Sequence, residues 1–294
     1  MNTYKIAGIK INIESDNKYL IDRLEPFSEC NSEEPDLYAE LQRCKHIDEP
    51  SGELIVNDFV RWLRKGDGES GFHIYQKDKM SGKIMAHVET DQNWSHNTIK
   101  CIDANFDSPK IYTKTKNWME NFSFLLMGIL FRNKLINYDG IVIHASSIAW
   151  RNKGLLFTAP SGTGKSTHVR LWEKYMGNEV TVVNDDTPAI RFSGETPMLC
   201  GTPWSGSSDK FANLQVPVGA IIILQQAPTD NIRKLTPVEA LPMLMPRVFL
   251  PYFDKQLMVK AYDVIDRIIT KVPIYLLNCT PEKTAMELVY ECVK

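Results

Sequence analysis

The feature that most constrains the fold of this chain is a glycine-rich segment between an apolar run and a helical pattern, LLFTAPSGTGKSTH at residues 155–168. Glycines let a backbone wrap around a polyphosphate with its N–H groups pointing inward, and the helix that follows adds the positive end of its dipole. In such a loop Lys165 reaches the β- and γ-phosphates and Ser166 ligates Mg²⁺. The segment therefore predicts a strand–loop–helix unit, a P-loop (Walker A) that binds a nucleoside triphosphate.

The loop departs from the full pattern G-x-x-x-x-G-K-[ST] only at its first position, where Ala159 stands. The alternative is a Gly/Ser-rich turn that precedes a lysine by chance, and the flanking apolar run and helical pattern argue against it. We therefore predict that ATP is bound by seven consecutive residues: Ser161, Gly162, Thr163, Gly164, Lys165, Ser166 and Thr167.

Composition excludes several classes of partner. With 34 Lys and Arg against 36 Asp and Glu, the net charge is −2, so there is no electrostatic case for nucleic acid or an anionic membrane. The six cysteines are dispersed without C-x-x-C or metal-ligand spacing, which favours reduced thiols and a cytoplasmic location. The N-terminus does not read as a signal peptide, and the most apolar helix candidate, from Trp118, is too short and too polar at its start to cross a bilayer.

Residues 1–115 are predicted to form a β-rich domain. Short runs at Phe72–Gln76, Lys83–Glu89 and Ile99–Asp103 are separated by turn residues, which is typical of an antiparallel meander. The alternation of apolar residues changes phase at Ala7-Gly8, as it would at a β-bulge. This part of the chain carries no chemical motif. Its scattered histidines are interpreted as structural or surface residues: His46, His73, His87 and His96.

Residues 116–294 are predicted to be an α/β domain, because strands alternate with helices. An apolar helical face begins at Trp118, and two apolar runs, Ile141–Trp150 and Leu155–Ala159, predict a β-hairpin that leads into the phosphate loop. The later predicted elements are a helix Lys165–Tyr175 ended by Gly177, strands Val180–Asn184, Val218–Leu224 and Ile274–Asn278, helices near Pro237–Met245 and Lys255–Lys271, and a closing helix after Pro281.

Two adjacent carboxylates, Asp185 and Asp186, follow the strand Val180–Asn184. A P-loop fold brings the end of a second strand beside the phosphates, where one acidic residue can hold Mg²⁺ and another can take the proton of an incoming hydroxyl. We predict Asp186 as a magnesium ligand together with Ser166, and Asp185 as the catalytic acid–base group. Asp-Asp-Thr-Pro is also a good turn sequence, which is the alternative interpretation.

The segment Cys200–Lys210 is a loop by composition, with small residues and one tryptophan. It suits a cover over phosphate or acceptor and equally a surface turn with a packed tryptophan, and the sequence leaves both open. Three basic residues are candidates for additional positive charge at the γ-phosphate, although most Lys and Arg are solvated surface residues: Arg191, Lys210 and Arg247. His144 lies on a semi-apolar strand face, where its neighbours alone favour a structural histidine.

Taken together, Ile143–Ser146, the phosphate loop and Val182–Asp186 resemble the HPr kinase/phosphorylase family and its smaller relatives, which share a nucleotide core with the ATP-dependent phosphoenolpyruvate carboxykinases. In that family a histidine precedes the phosphate loop by one hairpin, and an Asp-Asp pair supplies an acid–base group and a magnesium ligand. The resemblance therefore implies a P-loop core of this type beside the β-rich domain, and it places His144 with Asp185 and Lys165 among the catalytic residues. The family's multimeric assemblies imply a homo-oligomer.

The later Glu-, Arg- and Gly-rich motif of HPr kinase has no counterpart in this sequence, so HPr as acceptor and phosphorylase activity are not predicted. The prediction is an ATP- and Mg²⁺-dependent kinase that phosphorylates a hydroxyl of a peptide, a protein or a small metabolite, with the β-rich domain recognising the acceptor or mediating assembly. The alternative is an ATP-binding regulatory module without phosphotransfer.

Overall fold

The computed structural model describes residues 2–30, 34–58, 60–66, 68–103 and 118–294. Within these ranges it describes only the backbone of residues 118–121 and 207. The chain divides into two compact units, residues 1–134 and 135–294. The domain boundary predicted between residues 115 and 116 lies outside the described residues.

The first unit is built on an eight-stranded sheet in the order β1-β2-β3-β8-β7-β6-β5-β4. Strands β4 to β8 form the predicted antiparallel meander, whereas β3 runs parallel to both of its neighbours, β2 and β8. The strands are β1 (Asn2–Ile6), β2 (Ile9–Glu14), β3 (Leu37–Cys44), β4 (Glu53–Asn57), β5 (Arg61–Arg64), β6 (Phe72–Lys77), β7 (Ile84–Thr90) and β8 (His96–Ile102).

The phase change at Ala7-Gly8 marks a hairpin turn, and the predicted bulge is wrong. Strands β1 and β2 are antiparallel neighbours in which Ile6 pairs with Ile9, so Ala7 and Gly8 are the whole connection. Both have positive φ, 48° and 77°, as a two-residue turn compatible with the twist of the strands requires. A two-residue hairpin turn and a β-bulge can both shift the phase of the apolar alternation, so the sequence pattern alone does not distinguish them.

Among its described residues, the first unit contains the α-helices α1 (Lys18–Leu24) and almost all of α2 (Trp118–Ile136). The buried Asn17 caps α1, because its Oδ1 accepts a hydrogen bond from the Leu20 N–H at 3.1 Å. Its Nδ2 donates to the Ser123 hydroxyl of α2 at 2.7 Å. Lys134, near the end of α2, donates to the Ser95 hydroxyl at 2.7 Å. These polar contacts attach α2 to the β-rich unit.

The second unit contains a nine-stranded sheet centred on the long strand β15. The first residues of β15 pair antiparallel with β14, and the rest of the strand lies parallel to β11 and β17. This long strand therefore joins the ladder β14-β13-β9 to the ladder β12-β10-β11. The strands are β9 (Gly140–Val142), β10 (Ala145–Trp150), β11 (Lys153–Thr158), β12 (Val180–Asn184), β13 (Ala189–Ser193), β14 (Thr196–Cys200), β15 (Gln215–Gln226), β16 (Asn231–Lys234) and β17 (Ile274–Cys279).

Helices cover both faces of this sheet, which gives a mixed α/β architecture. Because side chains alternate along a strand, Phe157 of β11 packs with Trp172 on one side, whereas Leu156 packs with Ile265 on the other. The first side carries α3 (Lys165–Met176) and α6 (Lys283–Val293), and the second carries α4 (Pro237–Leu244) and α5 (Lys255–Lys271).

The predicted elements of the second unit are largely confirmed. The bounds of β12 and α5 agree with the prediction, and the β10–β11 hairpin turns at Arg151 and Asn152, both with positive φ. The strands β13, β14 and β16 were not predicted. In the part of the chain that the structure describes, no helix is both long and apolar enough to cross a membrane.

Candidate functional site

The glycine-rich loop connects β11 to α3 in a backbone conformation that only glycine adopts readily. Gly162 has a φ of 78° and Gly164 a φ of 113°, both in the left-handed half of conformational space. Gly164 is the residue before α3 and has no side chain, so the N-cap residue gives no side-chain hydrogen bond to the N–H groups of the first turn. The loop and the helix start therefore offer N–H donors and a positive dipole end to an anion.

Lys165 is held at the start of α3 with only 8% of its surface exposed. Its Nζ lies 2.9 Å from Nε2 of His144 and 3.4 Å from the carbonyl oxygen of Ala159. Burial lowers the pKa of Lys165, an effect that Asp186 and Asp185 oppose and that Arg247 reinforces. An anion arriving beside this ammonium would favour its charged form.

His144 lies in a break between β9 and β10, and the predicted continuous strand Ile141–Trp150 is wrong at this point. Strand β9 pairs with β13, whereas β10 pairs with β11 and β12, so the chain changes partners at His144. The backbone of the break is fixed from both sides: the His144 N–H donates to the Arg247 carbonyl at 2.7 Å, and the Thr158 hydroxyl donates to the His144 carbonyl at 2.8 Å.

The His144 ring connects Lys165 to the acidic pair. Its Nδ1 lies 3.1 Å from Oδ1 of Asp186, while its Nε2 faces the Lys165 ammonium. An ammonium can only donate and a carboxylate can only accept, so the neutral ring satisfies both contacts in one tautomer, with the proton on Nδ1. The arrangement is a connected row of three side chains, Lys165–His144–Asp186.

Asp185 and Asp186 directly follow β12, and their environments differ. The backbone N–H of Asp185 donates to the Lys210 carbonyl at 3.2 Å, and its side-chain Oδ1 is buried without a hydrogen-bond partner among the described residues. Asp186 contacts His144 through its carboxylate and accepts a hydrogen bond from Ala145 through its carbonyl at 3.0 Å. A buried carboxylate oxygen without a partner costs free energy. Such an oxygen is typical of a group that binds a ligand or a proton.

Asn184 holds this turn in place and was not among the residues predicted from the sequence. It is fully buried, and its Oδ1 accepts the N–H groups of Asp186 at 2.8 Å and Thr187 at 2.7 Å. Its Nδ2 donates to the carbonyls of Thr202 at 2.8 Å and Trp204 at 3.0 Å. The available signal was the position of an asparagine between a strand and two aspartates, a typical turn-forming residue.

The tryptophan segment, residues 200–210, is anchored to the acidic turn through these contacts. Besides Asn184, the Thr187 hydroxyl donates to the Trp204 carbonyl. Gly206 of the same segment, with a φ of 63°, packs directly on Asp186: a Cβ at this glycine would lie 3.1 Å from Cβ and Cγ of the aspartate. The segment therefore forms one wall of the site.

Two cavities meet at the glycine-rich loop, and every residue predicted for the site lines at least one of them. The first, of about 380 Å³, brings together His144, Ser161, Gly162, Gly164, Lys165, Ser166, Thr167, Asp185 and Asp186 with Arg170, Ser205, Gly206 and Ser208. The second, of about 310 Å³, shares Gly162, Gly164 and Thr167 with the first and adds Thr163.

The three basic candidates lie in different places. The Arg247 backbone carbonyl accepts a hydrogen bond from the His144 N–H, and the positive charge of the Arg247 side chain helps to lower the pKa of Lys165. Lys210 forms an ion pair with Glu173 at 2.7 Å. Arg191 lies on β13, where its Nε donates to the Tyr138 carbonyl at 3.1 Å.

The first cavity contains hard oxygen donors of the kind that Mg²⁺ prefers, the Ser166 hydroxyl and the carboxylates of the acidic pair. Among the residues that the structure describes, no group of three or more His, Cys, Asp or Glu side chains can hold a metal ion. The donors present therefore fit an ion that is shared with phosphate oxygens, as Mg²⁺ commonly is.

Comparison with known proteins gives three findings. No curated protein matches the chain. Among solved structures, the HPr(Ser) kinase/phosphatase from Coxiella burnetii is similar at 14% identity, with a TM-score of 0.31, over 51% of this chain and 95% of the other. A likeness this low supports no conclusion about activity. The model of one protein family, described as SynChlorMet cassette protein ScmC, matches residues 111–289, more than half of the chain. The chain belongs to the ScmC family of SynChlorMet cassette proteins.

Proposed function

We propose that this protein is an ATP- and Mg²⁺-dependent kinase that transfers the γ-phosphate of ATP to a hydroxyl of a peptide, a protein or a small metabolite. The observation that carries the proposal is the convergence on one cavity of an uncapped helix start, a buried lysine and two adjacent carboxylates. Each is a component that phosphoryl transfer needs, because this reaction depends mainly on positioning and on stabilising charge.

The triphosphate would bind along the loop Ser161–Thr167, with the N–H groups of the first helical turn facing its oxygens. Lys165 would contact the β- and γ-phosphate oxygens, because its ammonium is the cation at the start of α3. Ser166 and Asp186 would hold Mg²⁺, which supplies positive charge to the phosphates when bound. His144, between Lys165 and Asp186, would keep both groups at a fixed separation.

Asp185 is the proposed proton acceptor. Its Oδ1 is buried and has no partner among the described groups, so it can accept a hydrogen bond from an incoming hydroxyl. The acceptor oxygen forms a bond to the γ-phosphorus while the bond from that phosphorus to the β–γ bridging oxygen breaks. ADP leaves, and the hydroxyl proton passes to Asp185. We further propose that the eight-stranded sheet of the first unit recognises the acceptor or mediates assembly.

Labelled ATP tests the reaction directly. The full chain is incubated with Mg²⁺, γ-labelled ATP and pools of peptides and hydroxylated metabolites, beside Asp185→Asn and a matched control, Asp263→Asn, at an exposed position of α5. The proposal predicts label on an acceptor with the wild type and the control, and its loss in Asp185→Asn while ATP still binds. ATP binding without transfer to any acceptor or to water would instead identify a regulatory module.

A further inference from the structure

The second cavity lies beside the phosphate loop and contains none of the groups proposed for catalysis. It is bounded by α3 and by the segments that follow β15 and β17. Its walls beyond the loop include the largely apolar residues Leu171, Ala227, Cys279 and Pro281. At the rim, Nε2 of Gln226 donates to the Thr163 carbonyl at 3.3 Å, which ties the end of β15 to the loop. A volume of about 310 Å³ is at the lower end of the range for ligand pockets.

His168 lines this cavity and carries a buried polar atom, Nε2, that no group of the described chain satisfies. The side chain is 97% buried, given a relative exposure of 3%, and it lines the cavity wall. Its ring packs against Phe157 with 4.6 Å between centroids, while Nε2 has no hydrogen-bond partner among the described residues. Either tautomer makes Nε2 a hydrogen-bonding atom, and leaving such an atom buried and unpaired is costly. Among the polar residues of the lining, His168 is therefore the one with a buried polar atom left to be satisfied by a ligand.

We propose that this cavity binds the base of the nucleotide, that the base is adenine in preference to guanine, and that Nε2 of His168 makes a hydrogen bond to it. The inference rests on the proposed function, because it takes the triphosphate to lie on the loop. Gly162, Gly164 and Thr167 line both cavities, so a nucleotide whose phosphates occupy the first reaches the second through its sugar.

The preference for adenine follows from the chemistry of the lining. Guanine presents two adjacent donors, N1–H and the 2-amino group, which a carboxylate accepts well, and the residues lining the cavity include no acidic side chain. Asp230 is not among the lining residues, and both of its oxygens are engaged: Oδ1 accepts from the Thr280 N–H at 2.6 Å, and Oδ2 accepts from the Thr284 hydroxyl. Adenine needs no anionic partner.

The test compares ligands with and without a base. Calorimetry of the full chain with Mg²⁺ measures the Kd of ATP, GTP and inorganic tripolyphosphate for the wild type, for His168→Phe and for a control at an exposed histidine, His46→Phe. We expect ATP to bind more tightly than tripolyphosphate by on the order of tenfold or more, and more tightly than GTP. His168→Phe should lose most of the preference for ATP without changing the affinity for tripolyphosphate, and His46→Phe should keep it.

A second measurement avoids substitution altogether. Cys279 lines the cavity, and burial raises the pKa of its thiol, so it is alkylated at alkaline pH and the modified peptide is quantified by mass spectrometry. ATP should slow alkylation of Cys279 several-fold, whereas tripolyphosphate should not, and the exposed Cys30 should react equally in both cases.

The outcomes separate this inference from the proposed function. Equal affinity for ATP and tripolyphosphate, with Cys279 unprotected, overturns the base pocket and leaves the phosphate site standing. Tighter binding of GTP than of ATP overturns the adenine preference. Failure of both ATP and tripolyphosphate to bind refutes the proposed function, and the base pocket with it.

Discussion

Replacing Asn184 by aspartate tests how the acidic turn is held in place. The substitution keeps the size of the side chain and one oxygen to accept the N–H groups of Asp186 and Thr187. It changes the other end, where Nδ2 donates to the carbonyls of Thr202 at 2.8 Å and Trp204 at 3.0 Å. In Asn184→Asp an oxygen faces these two carbonyl oxygens.

The size of the effect follows from burial, because Asn184 and Thr202 are both fully inaccessible to water. Each buried polar group that loses its partner costs about 1–3 kcal/mol. The Thr202 carbonyl loses its donor, whereas the Trp204 carbonyl keeps the hydrogen bond from the Thr187 hydroxyl. One buried carbonyl without a donor therefore costs about 1–3 kcal/mol, a large part of the 5–15 kcal/mol by which a typical domain is stable. The acidic turn and the tryptophan segment should loosen together, since Asn184 is bonded to both.

Urea denaturation of the full chain at neutral pH measures the change in the free energy of unfolding. The matched control is Asn278→Asp, near the end of strand β17, where the Asn278 amide makes an exposed hydrogen bond to Asn231. We expect the control to change stability by less than about 0.5 kcal/mol. A loss below about 1 kcal/mol for Asn184→Asp, or one equal to that of the control, would refute the claim that Asn184 holds the turn.

Three further predictions concern the loop, the wall of the site and the first unit. Lys165→Ala should lower kcat/KM with ATP on the order of 10²-fold or more, as measured in steady-state kinetics, and turnover near the wild-type value would contradict a catalytic loop. Gly206→Ala should depress the transfer rate more than Gly194→Ala, because both glycines have φ near 60° but only the Cβ at 206 meets a carboxylate of the site; equal rates would show that this contact is unimportant. Burial, reinforced by the neighbouring His73, lowers the pKa of His87 from 6.5 to about 4. The His87 ring therefore binds a proton more readily in the unfolded chain than in the folded chain. The stability that His87 contributes above pH 6.5 is therefore lost as the pH falls towards 4, by about 2 kcal/mol between pH 7.5 and 5.0. In urea titrations at the two pH values His87→Gln should remove this loss and His46→Gln should not, and an unchanged loss in both variants would contradict the assignment.

Local patterns predicted much of the second unit because its elements follow short-range rules. The start of α5 has a strong capping residue, since Asp254 accepts the N–H groups of Gln256 and Leu257. The end of β12 coincides with a turn-forming asparagine, and Gly177 ends α3. At such positions a single residue and its neighbours determine the backbone, so the sequence carries the information.

The features that escaped prediction depend on contacts between segments far apart in the chain. The break at His144 arises because β9 and β10 pair with different strands, and no residue next to it indicates this. Asn184 links the acidic turn to the tryptophan segment only because the fold brings the carbonyls of Thr202 and Trp204 within hydrogen-bond distance of its amide. His168 drew no prediction, because a histidine in the first turns of a helix becomes distinctive only when a cavity is seen at its side.

Two kinds of information identified, from the sequence, the residues that the structure groups around the first cavity. The glycine, lysine and serine positions follow from the chemistry of phosphate binding, and the structure places them around one cavity with Asp185 and Asp186. His144 was singled out only by a family resemblance. The separate environments of the two aspartates required coordinates, because adjacent residues of the same type cannot be distinguished by pattern.

Titration calorimetry of the intact protein with ATP in the presence of Mg²⁺ determines whether the loop around Thr163 binds a triphosphate. We expect saturable binding with one nucleotide per chain, strongly weakened in Lys165→Ala. The absence of heat with every purine nucleoside triphosphate would contradict it.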